Sequence, residues 1–138
     1  MRKTKILTCH HLGIFTNNPS KLIKFYEEKL GFENGGTKLV SRDLMGKIFG
    51  IPSSCSLTKL RLGQSVLEII SPQNMNLKRK RHDISGYNHW ALEVADKEKF
   101  CQELQQKGVV VLELEREERR ILFVRDPEGN LIEIYESS

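Results

Sequence analysis

The sequence predicts an α+β chain built from two βαβββ modules. Three observations carry that expectation: the order His, strand, helix, strands, Glu occurs twice, each helical stretch has its own start and stop signals, and the runs between alternate as strands do. The first copy opens His11-Leu12-Gly13-Ile14-Phe15-Thr16 and closes Gly63-Gln64-Ser65-Val66-Leu67-Glu68-Ile69. The second opens His89-Trp90-Ala91-Leu92-Glu93-Val94 and closes Gly129-Asn130-Leu131-Ile132-Glu133-Ile134. His to Glu spans 57 positions in the first copy and 44 in the second, and most of the difference falls in Ser41 to Ser56.

Taken in order, the opening strand gives way at Asn18, an N-cap residue placed before Pro19 at the first helical position. Leu22, Phe25, Tyr26, Lys29 and Leu30 trace one helical stripe, which Gly31 ends. Thr37 to Val40 and Thr58 to Leu62 read as strands; between them Leu44, Met45, Ile48 and Phe49 recur at helical spacing, bounded by Gly50 and Pro52, which predicts a short extra helix or lid. Pro72 to Tyr87 lacks an apolar period and reads as the inter-module linker. In the second copy Asp96 caps a helix with Phe100, Cys101 and Leu104 on its buried stripe and Gly108 at its end, followed by strands at Val109 to Glu113 and Ile121 to Arg125.

At 138 residues and 15.9 kDa the chain fits one domain. Module 1 is expected over about 5–72, the linker over about 73–86 and module 2 over about 87–138. With 38% apolar and 29% charged residues the composition is that of a soluble globular protein. No run approaches the ~20 apolar residues of a membrane span, and the apolar part of the start is too short for a signal peptide, so a cytoplasmic protein without a membrane partner is expected. Cys9, Cys55 and Cys101 are odd in number and far apart, as free thiols in a reducing compartment would be. Of the formal charge of +4, Lys78, Arg79, Lys80 and Arg81 supply all the excess. That run is compact and has no aromatic residue until Tyr87, which counts against nucleic acid as partner; it reads as a solvated linker or as a landing site for an anionic substrate arm.

Chemistry enters through the repeated polar residues. On the last strand Leu131, Glu133 and Tyr135 share one face and Ile132 and Ile134 the other, and the isoleucine face must pack on helices. By the same count Glu68 lies with Val66 and Ile70, while Leu67 and Ile69 face the helix layer. A carboxylate in an otherwise apolar strand is costly to bury unless it is paired or holds a metal, and here this happens twice. His11 and His89 open the first strands at matching positions, so four residues of ligand type would converge if the two sheets faced each other. Two imidazoles and two carboxylates suit a divalent first-row ion (Ni²⁺, Co²⁺, Mn²⁺, Zn²⁺ or Fe²⁺) better than Ca²⁺.

These residues resemble the vicinal oxygen chelate superfamily of glyoxalase I, bleomycin resistance proteins and extradiol dioxygenases, over nearly the whole chain. The resemblance rests on His11-Leu-Gly-Ile, on Phe25-Tyr26 with Leu30-Gly31-Phe32, on Asn88-His89-Trp90-Ala91-Leu92-Glu93-Val94, and on Asp126-Pro127-Glu128-Gly129-Asn130-Leu131-Ile132-Glu133, similar to the family's closing "DPxGxxxE" strand. His10 rivals His11, but Leu12, Gly13 and Ile14 follow His11 as the family pattern requires, which leaves His10 as an outward-facing neighbour.

The resemblance implies a half-open barrel formed by the two modules, a homodimer, and His11, Glu68, His89 and Glu133 as ligands of one divalent ion. The order His, Glu, His, Glu is that of glyoxalase I, which implies a metal-dependent lyase or isomerase acting on a small carbonyl or thioester substrate, with Glu68 or Glu133 as the proton-shuttling carboxylate. Asp43 and Glu93 are weaker candidates for that role. Methylmalonyl-CoA epimerases, similar in fold, usually carry Gln at the place of Glu68; an acyl-CoA epimerase is the second reading, with the basic run meeting CoA phosphates. A non-catalytic, ligand-sequestering resistance protein is the third. Extradiol dioxygenases use two His and one Glu and rank last. The lid, Asp43 to Ser54, and the basic linker depart from the glutathione-holding segments of glyoxalase I.

Overall fold

The computed structural model describes residues 8–79, 81 and 83–137. Eight strands and three helices follow one another as β1 (Leu12–Phe15), α1 (Pro19–Glu28), β2 (Glu33–Val40), α2 (Arg42–Phe49), β3 (Cys55–Leu62), β4 (Ser65–Pro72), β5 (His89–Val94), α3 (Lys97–Gln106), β6 (Val111–Arg116), β7 (Arg119–Arg125) and β8 (Leu131–Glu136). They build two four-stranded sheets of one topology, β1-β4-β3-β2 and β5-β8-β7-β6. In each, the opening strand runs parallel to the closing strand and every other pairing is antiparallel. The α+β class and the repeat expected from the sequence are therefore present.

The compact units do not follow chain order. Among the described residues, one comprises 8–19 and 32–77; the other comprises 20–31, 78, 79, 81 and 83–137, so all of α1 but its first residue is grouped with the second sheet. Its stripe is as expected, with Leu22, Tyr26 and Leu30 buried. Tyr26 shows why the helix belongs there. Its hydroxyl donates to Asp126 Oδ2 at 2.8 Å, and its ring stands 6.4 Å from that of Trp90. Asp126 is itself buried and also accepts from the backbone N–H of Glu128 (2.9 Å) and Asn130 (3.0 Å) and from the Asn130 amide (2.8 Å). One carboxylate thus forms the β7–β8 turn and anchors α1. The two helices also cap each other: Lys29 Nζ donates to the Lys107 carbonyl at 2.6 Å and Lys107 Nζ to the Lys29 carbonyl at 3.5 Å, each cation at a helix C-terminus.

On the second sheet Leu92, Leu122, Val124, Ile132 and Ile134 are buried on one face, together with Cys101 and Leu104 of α3, which packs on β8 and β6. The isoleucine face is the helix face, as the alternation requires. Asp96 caps α3 by accepting from the Lys99 N–H. The strand expected from Val109 begins instead at Val111, because the Val109 N–H closes the end of α3 on the Leu104 carbonyl at 2.9 Å. In the first unit β2 is longer than expected and carries a bulge between Asn34 and Thr37, where Asn34 Oδ1 accepts from the Gly36 N–H.

The lid segment is helical. Ser41 caps α2 and Gly50 ends it in the left-handed region. Met45 packs into a cluster with Cys55 and Ile70, joined by Phe15, Val40, Ile51 and Leu57. Phe15, Val40, Leu57 and Ile70 share the sheet face of Glu68, so α2 covers one end of that face. In the second unit two residues, Glu117 and Glu118, replace the whole insertion. Cys9 is exposed, Cys55 and Cys101 are buried, and all three are free thiols; burial raises the pKa of both buried ones.

Two predictions follow from this packing. Burial, then the charge of Asp126, hold the Tyr26 phenol far above its ordinary pKa, while a hydrogen bond from Trp90 acts the other way. A phenol whose folded pKa is raised contributes its full stabilisation below the unfolded value of about 10 and loses it as pH rises beyond, by about 1.4 kcal/mol per pH unit. Chemical denaturation between pH 8 and 11 is expected to show this loss in the wild type and not in Tyr26→Phe, which should also be less stable at pH 7 by about 1–3 kcal/mol. The second concerns the β6–β7 turn, where Glu117 and Glu118 have φ of 49° and 64°. Such turns favour Asn-Gly, so Glu117→Asn with Glu118→Gly is expected to raise the denaturation midpoint, by about 1 kcal/mol or more.

Candidate metal centre

His11 lies directly before β1 and Glu68 in the middle of β4, and the parallel register sets Gly13 beside Glu68. His89 is the first residue of β5 and Glu133 lies in β8, where the register sets Ala91 beside Glu133. In both units the residue two after the histidine is thus small and adjacent to the glutamate. His11 Nε2 stands 3.2 Å from Glu68 Oε1, and His89 Nε2 stands 3.9 Å from Glu133 Oε2. The histidines are 44% and 40% exposed and the glutamates 18% and 29%, so each pair is open on the imidazole side and sheltered on the carboxylate side.

The structure therefore brings His11 together with Glu68, and His89 together with Glu133. Among the described residues neither unit gathers three or more His, Cys, Asp or Glu side chains into a metal-binding group. The donor chemistry of each pair nevertheless fits a divalent ion. Two ligands about 2.1 Å from one ion lie about 3.0–3.4 Å apart, which spans the first pair's separation and is approached by the second's.

The surroundings differ between the units. Lys59 faces Glu68 across the β3–β4 register, half-buried, and Lys38 and Arg61 share that face and are exposed. Across from Glu133 stands Phe123, whose ring lies 5.3 Å from that of His89 in an edge-to-face contact. Beside it a cavity of about 540 Å³ is lined chiefly by apolar groups, among them Phe25, Val110, Leu112, Phe123 and Leu131, with Arg125 as a cation. Its size suits the apolar part of a small organic molecule.

The weaker candidates are placed elsewhere. Asp43 is in the first turn of α2, 76% exposed and ion-paired with Lys47 at 3.0 Å; Glu93 is exposed and accepts from Ser137 Oγ at 2.6 Å. Lys78, Arg79 and Arg81 are exposed, with Arg81 bonded to Asp83 at 3.0 Å; Lys80 lies outside the described residues. Sequence reasoning missed the ring contact of Phe123, the role of Asp126, and the partners of the histidines' other nitrogens. His10 Nδ1 lies 2.9 Å from His11 Nδ1, and Asn88 Oδ1 lies 2.9 Å from His89 Nδ1. For Asp126 a signal existed: Asp-Pro-x-Gly-Asn is turn chemistry in which the Asp side chain serves the N–H groups ahead of it.

The chain belongs to the Glyoxalase/Bleomycin resistance protein/Dioxygenase superfamily, whose sequence model matches residues 8–134. It is similar to the uncharacterized protein YwkD of Bacillus subtilis, 28% identical over 130 residues that make up 92% of this chain and 94% of the relative. In fold it is similar to a glyoxalase family protein from Bacillus cereus, with a TM-score of 0.74, 20% identity, and coverage of 99% of this chain and 97% of that one. It is also similar to the trypanothione-dependent glyoxalase I of Leishmania major, with a TM-score of 0.69, 21% identity, and coverage of 95% and 87%. No helix among the described residues is long and apolar enough to cross a membrane.

Proposed function

We propose that the chain is a metal-dependent lyase or isomerase of the glyoxalase I type, which moves a proton next to the carbonyl of a small carbonyl or thioester substrate. The observation that carries this reading is the pairing of one imidazole with one carboxylate in each unit, with a carboxylate and not an amide at position 68. His11, Glu68, His89 and Glu133 would hold one divalent ion of the nickel, cobalt, manganese, zinc or iron kind, whether all four come from one chain or from two copies in a homodimer. Such an ion, when bound, supplies Lewis-acid stabilisation of negative charge that develops on the substrate.

The protein's own groups do the rest. Glu68 is the general base: its carboxylate is sheltered, and His11 Nε2, 3.2 Å away, orients it. It takes the proton from the carbon next to the carbonyl, and that proton is delivered back to the neighbouring carbon in an isomerisation or, by way of Glu133, to the opposite face of the same carbon in an epimerisation, so that both carboxylates end ionised as they began. Lys59, Lys38 and Arg61 give the Glu68 face a positive field suited to a substrate that carries or gains negative charge. The apolar cavity beside Phe123 receives the substrate's hydrocarbon part and keeps water from it.

Protein purified without chelators is expected to carry one divalent ion per two modules, and Glu133→Ala to lose both ion and activity. Glu68→Gln is expected to keep the ion, since an amide oxygen still coordinates, and to slow turnover by about 10²–10⁴-fold, as for the loss of a general base. In ²H₂O the wild type should place deuterium at the substrate carbon. A panel of hemithioacetals and acyl-CoA thioesters separates isomerase from epimerase action. Oxygen consumption with a catechol and no proton exchange would sink the reading in favour of a dioxygenase, and a wild type that binds no ion would leave a ligand-sequestering protein.

A further inference from the structure

The two histidines share a feature that the metal reading alone does not require. Each has Nε2 turned toward its glutamate and Nδ1 held by the side chain of the residue immediately before it, His10 in one unit and Asn88 in the other. The arrangement recurs although the two preceding residues differ in kind. At His89 the partner sets the direction: an amide oxygen only accepts, so in the 2.9 Å contact with Asn88 Oδ1 the donor is the His89 Nδ1–H. Nε2 is then left with its lone pair. At 3.9 Å from Glu133 it is beyond hydrogen-bond distance of the carboxylate, and it is the atom that would ligate an ion held with Glu133. The ring is also fixed in rotation, by Asn88 on one side and by the edge-to-face contact with Phe123 on another.

We propose that Asn88 is a positioning residue for the second half of the centre: by accepting from His89 Nδ1 it sets the tautomer and the orientation that turn the Nε2 lone pair toward Glu133. This rests on the metal-centre reading for its purpose, though not for its geometry. A ligating imidazole whose other N–H is held is a better and better-aimed donor, and loss of such a partner typically weakens metal binding about 10–100-fold. Without Asn88 the ring proton is free to move to Nε2, where it blocks the donor atom, and the ring is free to turn.

The test has two readouts. In metal-free protein, ¹⁵N NMR of the histidine rings at neutral pH is expected to show His89 in its Nδ1–H form, with Asn88→Ala shifting it toward the Nε2–H form while the other histidines keep their signals. Titration calorimetry with Co²⁺ alone is expected to give a Kd about 10–100-fold weaker in Asn88→Ala, and near wild type in Asn88→Asp, whose carboxylate accepts the same hydrogen bond. A general loss of fold would not be rescued by Asp and would move every ring. A wild-type His89 in the Nε2–H form, or a Kd for Asn88→Ala equal to that of the wild type, overturns the proposal. If the wild type binds no Co²⁺ the metal reading fails, and the ring signals then decide the positioning role by themselves.

Discussion

A single buried carboxylate holds the second unit together. Asp126 accepts hydrogen bonds from the Tyr26 hydroxyl, two backbone N–H groups and the Asn130 amide, and each removes part of the cost of burying its charge. It sets the turn through which β7 passes into β8, and so the register that puts Glu133 beside Ala91 and Phe123. The same carboxylate decides where α1 lies. A buried phenol held protonated is matched to a buried carboxylate that accepts its hydrogen bond, and neither group is at ease in the interior alone.

Upon that frame the two halves carry one design with different fittings. In each, a histidine at the head of the opening strand meets a glutamate on the closing strand over a glycine or an alanine. The first unit adds a roof, α2, at one end of the glutamate's face and lysines and an arginine along it; the second adds an aromatic wall and a cavity. The face beside Glu68 in the first unit is therefore polar and positive, and the face beside Glu133 in the second is apolar.

Much of this was legible in the sequence because repetition makes weak signals add. A lone glutamate on a strand says little; Glu68 and Glu133, each in the closing strand after a glycine turn and each with a histidine upstream, mark one face of one strand twice. The lid helix was legible from Leu44, Met45, Ile48 and Phe49 because Gly50 and Pro52 bound the pattern, whereas its N-cap, Ser41, came only with the structure. The grouping of α1 with the second unit was not, since a helical stripe states that a face is buried and not against which element. Nor was the bond between Asn88 and His89: Asn88 lies just before β5, outside the strand whose alternation says where side chains face.

The placement of α1 has a consequence for how the chain comes to be folded. Tyr26 and Asp126 are 100 residues apart, and at synthesis rates of about 5–20 residues per second the helix precedes its acceptor by about 5–20 s. For that interval Leu22, Tyr26 and Leu30 form an apolar stripe whose sheet has yet to be made, since β5 to β8, which receive them, all follow α1 in the chain. The contact between α1 and Asp126 can form only after Asp126 is made, and until then the newborn chain depends on how well that stripe is kept from other hydrophobic surfaces.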